Sequence, residues 1–138
     1  MTAGWVLDPK LEADSFALVD WPLCHVRLMN DARFPWLVLV PRMPGAVEPF
    51  DLGADDQLRL WRETMHAGAR LKAHAGALKI NVGALGNIVR QLHVHVVARV
   101  EGDAAWPGPV WGAGTAVRLA PGDALSRIGT MREALGHP

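Results

Sequence analysis

The sequence predicts an α+β fold on a mainly antiparallel sheet, with a single domain over residues 1–138. Three observations carry that expectation. Two strand-like runs are separated by only the four residues 32–35, too few for a parallel crossover of a dozen residues or more. Residues 51–74 repeat apolar side chains at helical spacing, and a glycine-bearing turn then feeds directly into a long apolar run.

The first strand candidate, CHVRLMND (24–31), alternates in character and stops at Asn30-Asp31, a turn signal. The second, WLVLVPR (36–42), is a continuous apolar run ended by Pro41 and Pro44. In the helical segment, Leu58, Trp61, Met65 and Ala69 make one face, and Arg59, Arg62, Glu63, Arg70 and Lys72 supply the polar remainder. Asp51, Asp55 and Asp56 suit its start, where free amides and the positive end of the helix dipole favour carboxylates, and Gly76 suits its end. LKINVGALGN (78–87) reads as a short strand entering a turn, and IVRQLHVHVVARV (88–100) as the longest strand. AWPGPVWGAGT (105–115) is too rich in Pro and Gly for a regular element and is expected to be a structured arm. Helical spacing returns in Leu125, Ile128, Met131 and Leu135, which predicts a C-terminal helix over 123–135.

Composition narrows the function. Fourteen basic residues balance 14 acidic ones, so there is no basic excess of the kind that nucleic-acid binders use against phosphates, whereas a small anionic ligand needs only a few local donors. The single cysteine, Cys24, cannot form an internal disulfide and is expected to be a buried small hydrophobe in a cytoplasmic protein. No apolar run approaches the roughly 20 residues that span a bilayer, and the first 15 residues have no secretory apolar core, so no membrane partner is expected.

The stretch QLHVHVVAR (91–99) carries the chemistry. On a strand, Gln91, His93 and His95 share one face, and Leu92, Val94, Val96 and Ala98 share the other, a plain core face. Polar residues on a solvated sheet face would explain the first set most simply. A metal site would need a third ligand, and His25, His66, His74 and Glu101 stand at no recognised spacing from the pair. Phosphorus chemistry is the third reading. An imidazole titrates near pH 6.5, so its neutral form is a ready nucleophile, and a second imidazole can donate to phosphate oxygens as charge builds. NVGALGN (81–87), immediately upstream, offers Asn81 and Asn87 as donors and Gly83 and Gly86 where backbone can approach an anion closely.

These segments, in the order WLVLVPR, helix, KINVGALGN, QLHVHVVAR, resemble the histidine triad (HIT) family of nucleotide hydrolases and transferases, whose signature is His-φ-His-φ-His-φ-φ. The resemblance covers roughly residues 27–99, and Gln91 stands where the first histidine of the triad would be. It implies that His93 attacks the α-phosphorus and carries a nucleotidyl intermediate, and that His95 contacts phosphate oxygens and the leaving-group side. It further implies phosphate contacts from Asn81, Gly86 and Asn87, and nucleoside contacts from Asn30 or Asp31 and from Trp36. Many members place Ser or Thr five residues before the central histidine, where this chain has Ile88. His25, His66, His74 and His137 match nothing in the motif and are expected in surface or capping roles. Trp106 and Trp111 flank an arm that, in the family, lines the site or reaches a partner subunit.

The expectation is therefore a homodimeric enzyme that cleaves phosphoanhydride or phosphoramidate bonds of small, purine-type nucleotides. It requires no cofactor, and a Mg²⁺ would arrive with a polyphosphate substrate. Gln91 cannot titrate near neutrality, so any proton-transfer role of that position is lost. The alternatives are a nucleotide-binding module with little turnover and, at a distance, a metal-binding cupin-like protein.

Overall fold

The computed structural model describes residues 3–138; Met1 and Thr2 lie outside the described residues. The chain runs α1 (Pro9–Asp14), β1 (Ser15–Asp20), β2 (Cys24–Met29), β3 (Trp36–Pro41), a 3₁₀ turn at Pro49–Asp51, α2 (Ala54–Ala75), β4 (Lys79–Gly83), β5 (Val94–Arg99) and α3 (Pro121–Leu135). The five strands form one sheet in the order β1-β2-β3-β5-β4, every neighbouring pair antiparallel. The α+β expectation is met. The sheet is open, with β1 and β4 as its edges, so the cupin-like alternative, which requires a barrel, is excluded.

Each face of the sheet has its own core. On one face Val26, Leu28, Leu37, Leu39, Val94, Val96 and Ala98 pack against Leu60, Ala67 and Leu71 of α2 and against Met131 and Leu135 of α3. This is the face that alternation assigns to Leu92, Val94, Val96 and Ala98. On the other face Trp36, Val38, Val40 and Val97 are covered by Leu11, Phe34 and Val110, with Trp5, Leu7 and Trp111 against them. Among the described residues no long helix covers this second face. The N-terminal segment and the arm cover it instead, and they leave room for a cleft.

Several expectations need correction. The segment 88–100 is not strand throughout: β5 begins at Val94, so Gln91 and His93 lie on the loop that feeds it. Neither α1 nor β1 is predicted by pattern. The pairing of β1 shifts register between Ala17 and Val19, and that irregularity destroys the period-two alternation of SFALVD. The face of α2 is also inverted. Leu58, Trp61 and Met65 are exposed, and the buried face is Leu60, Glu63, Thr64, Ala67, Gly68 and Leu71. Glu63 is buried because its carboxylate accepts the amides of Leu23 and Cys24 at 2.9 and 2.8 Å, which satisfies the start of β2. In α3, Leu125 is exposed and Ala124 takes the buried position.

Cys24 is fully buried, and burial, followed by the neighbouring Glu63 carboxylate, pushes its thiol well up. It is a packing side chain, as expected. The arm at 105–115 contains no regular element. Among the described residues no helix is long and apolar enough to cross a membrane.

Candidate active site

A cleft of about 780 Å³ opens on the second face of the sheet, with His93 and His95 in its lining. His95 is delivered by β5, opposite Val38 of β3, so it projects beside Trp36 and Val97. His93 sits just before the strand. The two imidazoles are 4.9 Å apart between ring centroids and inclined at 73°. Both residues are nearly buried, at 5% and 6% exposure, so the polar pair reads not as a solvated sheet face but as the floor of a pocket.

The partners of each ring fix its tautomer. His93 Nδ1 lies 2.7 Å from the carbonyl oxygen of Gln91, which can only accept, so Nδ1 carries the proton and Nε2 of the neutral ring has a free lone pair. The indole Nε1–H of Trp36, which can only donate, points at His95 Nδ1 at 3.0 Å, so in the neutral ring the proton of His95 is on Nε2. Burial, reinforced by the nearby His93, pushes His95 down to about 3, so it is neutral at physiological pH. The pair therefore presents one nucleophilic nitrogen and one neutral N–H donor. A Trp36→Phe substitution is expected to keep the packing, strand the His95 acceptor and cost about 1–3 kcal/mol of stability. Nitrogen NMR of the imidazoles checks it: the fixed Nε2–H tautomer of His95 should give way to a mixture.

Gly86 explains the close approach of the upstream loop. A Cβ there would lie 2.5 Å from the Val89 carbonyl oxygen and 3.1 Å from Cε1 of His93, so only glycine lets the loop pass over the histidine. Gly86, Asn87 and Ile88 all line the cleft, and Ile88 is 85% exposed.

Asn81, Asn30 and Asp31 are each engaged within the chain. Asn81 is not at the cleft. It pairs with Val97 in the β4–β5 ladder, two residues removed from the Gly83–His95 pair, and its Oδ1 accepts from Arg99 Nη1 at 2.8 Å. Asn30 and Asp31 line the cleft, but their acceptors are turned to the chain itself. Asn30 Oδ1 accepts the Leu119 amide at 2.8 Å, and Asp31 takes the guanidinium of Arg33 through both oxygens at 3.0 and 2.9 Å. Burial opposes the Asp31 charge, yet Arg33 and two backbone amides outweigh it and hold the carboxyl below its usual range.

Trp36, expected as a base-stacking candidate, is a buried wall of the cleft that orients His95. Trp111, from the arm, lines the cleft of its own chain with its ring 5.6 Å from that of His95. Of the remaining histidines, His66 caps α3 through a 2.7 Å contact between Nε2 and the Leu135 carbonyl, and His25 pairs with Asp20 at 2.6 Å. Lys10, Leu11, Asp14 and Arg118 also line the cleft and have no signal in the local sequence pattern. Asp14 ties Lys10 at 2.8 Å and Arg118 at 3.0 Å. Among the described residues no three His, Cys, Asp or Glu side chains come together as a metal-binding group.

The sequence model of the HIT domain matches residues 10–102. Among solved structures the chain is similar to a histidine triad protein from Sinorhizobium meliloti 1021, at 49% identity over 96% of this chain and 98% of that one, with a TM-score of 0.92. A histidine triad protein from Bradyrhizobium japonicum shares 41% identity over 96% and 98%, at a TM-score of 0.91. One from Marinobacter aquaeolei VT8 shares 40% over 95% and 96%, at 0.92. The search of curated proteins returned no match.

Proposed function

The chain belongs to the HIT family, and on that premise we propose that it is a nucleotide hydrolase or nucleotidyl transferase working through His93. The complementary tautomers of the two imidazoles carry this reading. His93 Nε2 attacks the phosphorus of a bound nucleotide, the bond from phosphorus to the leaving group breaks, and the leaving group departs with the electron pair. The Nδ1–H of His93 stays on the Gln91 carbonyl, which stabilises the positive charge that the phosphorylated ring acquires. His95 Nε2–H donates to a non-bridging oxygen, and water then displaces His93 from phosphorus to release a nucleoside monophosphate.

The leaving group is expected to be a phosphate. A phosphoanhydride leaves as an anion that needs no proton, whereas a phosphoramidate nitrogen must be protonated as it leaves. Gln91 cannot supply that proton, and His95 is a neutral imidazole held far from its charged form. No metal takes part in these steps; a Mg²⁺ would enter on a polyphosphate substrate. Incubation with dinucleoside polyphosphates and with nucleoside phosphoramidates tests the reading through release of a nucleoside monophosphate. Binding without release from either class would establish the alternative, a nucleotide-binding module.

A homodimer also forms part of this reading. Leu58, Trp61 and Met65 leave an apolar stripe on α2 at 58%, 61% and 41% exposure, and β4 is a free edge of the sheet. A second copy laid on that stripe would cover it. Light scattering is expected to give twice the chain mass for the wild type and the monomer mass for Trp61→Glu; a monomeric wild type would refute the pairing.

A further inference from the structure

We propose that Gln91 is a positioning residue which latches the N-terminal segment across the cleft as a wall against the nucleotide, and which holds His93 with its main chain. This rests on the nucleotide reading of the cleft. The Gln91 side-chain amide makes two contacts with one stretch of chain more than 80 residues away: Oε1 accepts the Asp8 amide at 2.9 Å, and Nε2 donates to the Val6 carbonyl at 2.8 Å. Its own carbonyl accepts from His93 Nδ1 at 2.7 Å. One residue is thus the joint between the attacking imidazole and residues 5–14.

What lies on the far side of the joint belongs to the cleft. Asp8 caps α1 by accepting the Lys10 amide at 2.8 Å, and α1 brings Lys10, Leu11 and Asp14 into the lining. Trp5 and Leu7 pack on the apolar cluster that contains Trp36 and Val97, so the segment is anchored on both sides of the latch. A planar carboxamide offers a donor and an acceptor side by side, which matches a carbonyl and an amide two residues apart on an extended chain. The two nitrogens of an imidazole diverge and cannot serve both. Glutamine at this position is therefore fitted to the wall, and its lack of a titratable proton is a consequence.

Hydrogen exchange and AMP titration on the full-length protein test this. Gln91→Ala is expected to speed exchange at the Asp8 amide and through residues 10–14 about tenfold, with β3 and β5 as slow as in the wild type, and to weaken AMP binding about threefold to tenfold. Gln91→His should behave like the alanine variant, and Gln91→Glu, which keeps only the acceptor, should fall between. In a Trp5→Ala/Leu7→Ala background, where the wall is already loosened, Gln91→Ala should add little to the AMP defect. Unchanged exchange in Gln91→Ala, or wild-type protection in Gln91→His, would overturn the latch. An equal AMP defect in both backgrounds would overturn the wall and make Gln91 a direct ligand. Failure of the wild type to bind AMP at all would instead refute the nucleotide reading, and the exchange data would still judge the latch.

Discussion

Replacing His93 with alanine is expected to lower nucleotide turnover by about ten-thousand-fold or more, the scale seen when an enzyme loses its nucleophile, while AMP affinity changes only a few-fold. The asymmetry follows from what the ring does. Nδ1 is committed to the Gln91 carbonyl at 2.7 Å, so the ring is fixed in orientation and its free electron pair is on Nε2. Among the described residues no hydrogen bond within the chain engages that nitrogen. His95 cannot replace it, because its Nδ1 pair is taken by the Trp36 indole and its Nε2 bears the proton. Alkaline quench during turnover, followed by peptide mass spectrometry at high pH, should place a nucleotidyl adduct on His93 in the wild type, since a phosphorus–imidazole bond survives base and is lost in acid. More than about one per cent of wild-type turnover in the alanine variant would assign the nucleophile elsewhere.

Elements whose side chains answer to local periodicity were legible in the sequence; features set by distant partners were not. Alternation alone separates Val94, Val96 and Ala98 from His95 because a strand between two cores must alternate. The same reasoning misplaced the buried face of α2. Hydrophobicity favours Leu58, Trp61 and Met65, but the side turned inward carries Glu63, whose carboxylate accepts the amides of Leu23 and Cys24 at the start of β2. Nearness in sequence to the histidines points to Asn81, and strand register removes it from the cleft, since Gly83 and not Asn81 stands opposite His95. Gln91 was legible as an anomaly in a motif but not as a latch, because both groups it binds lie at the other end of the chain.

Arg99→Ala is expected to destabilise the fold by about 3–5 kcal/mol, the range for a buried ion pair broken on one side. Arg99 is 2% exposed, and its guanidinium meets the Asp103 carboxylate through Nε and Nη2 at 2.8 and 2.9 Å and Asn81 through Nη1 at 2.8 Å. Its Cζ also lies 5.7 Å from the rings of Phe34 and of Trp106, so the group is solvated by protein on every side. Removing it leaves the Asp103 charge without its counterion and frees the root of the arm that carries Trp111 to the cleft. The Arg99 hydrogen bonds hold Asp103 down to about 2, against burial and with help from the amides of Ala105 and Val100. A carboxylate depressed in the folded state contributes stability at any pH above its unfolded value near 4, and loses that contribution as pH falls toward 2. Denaturation midpoints of the wild type and Asp103→Asn should therefore differ most at pH 6 and converge between about pH 4 and pH 2. Buried His95 acts in a different window. Its neutral form begins to cost stability below about pH 6.5, where the unfolded imidazole takes up a proton that the folded one refuses. That loss is common to both proteins and cancels in the comparison, so a gap that closed above pH 5 would show that Asp103 is not held by Arg99.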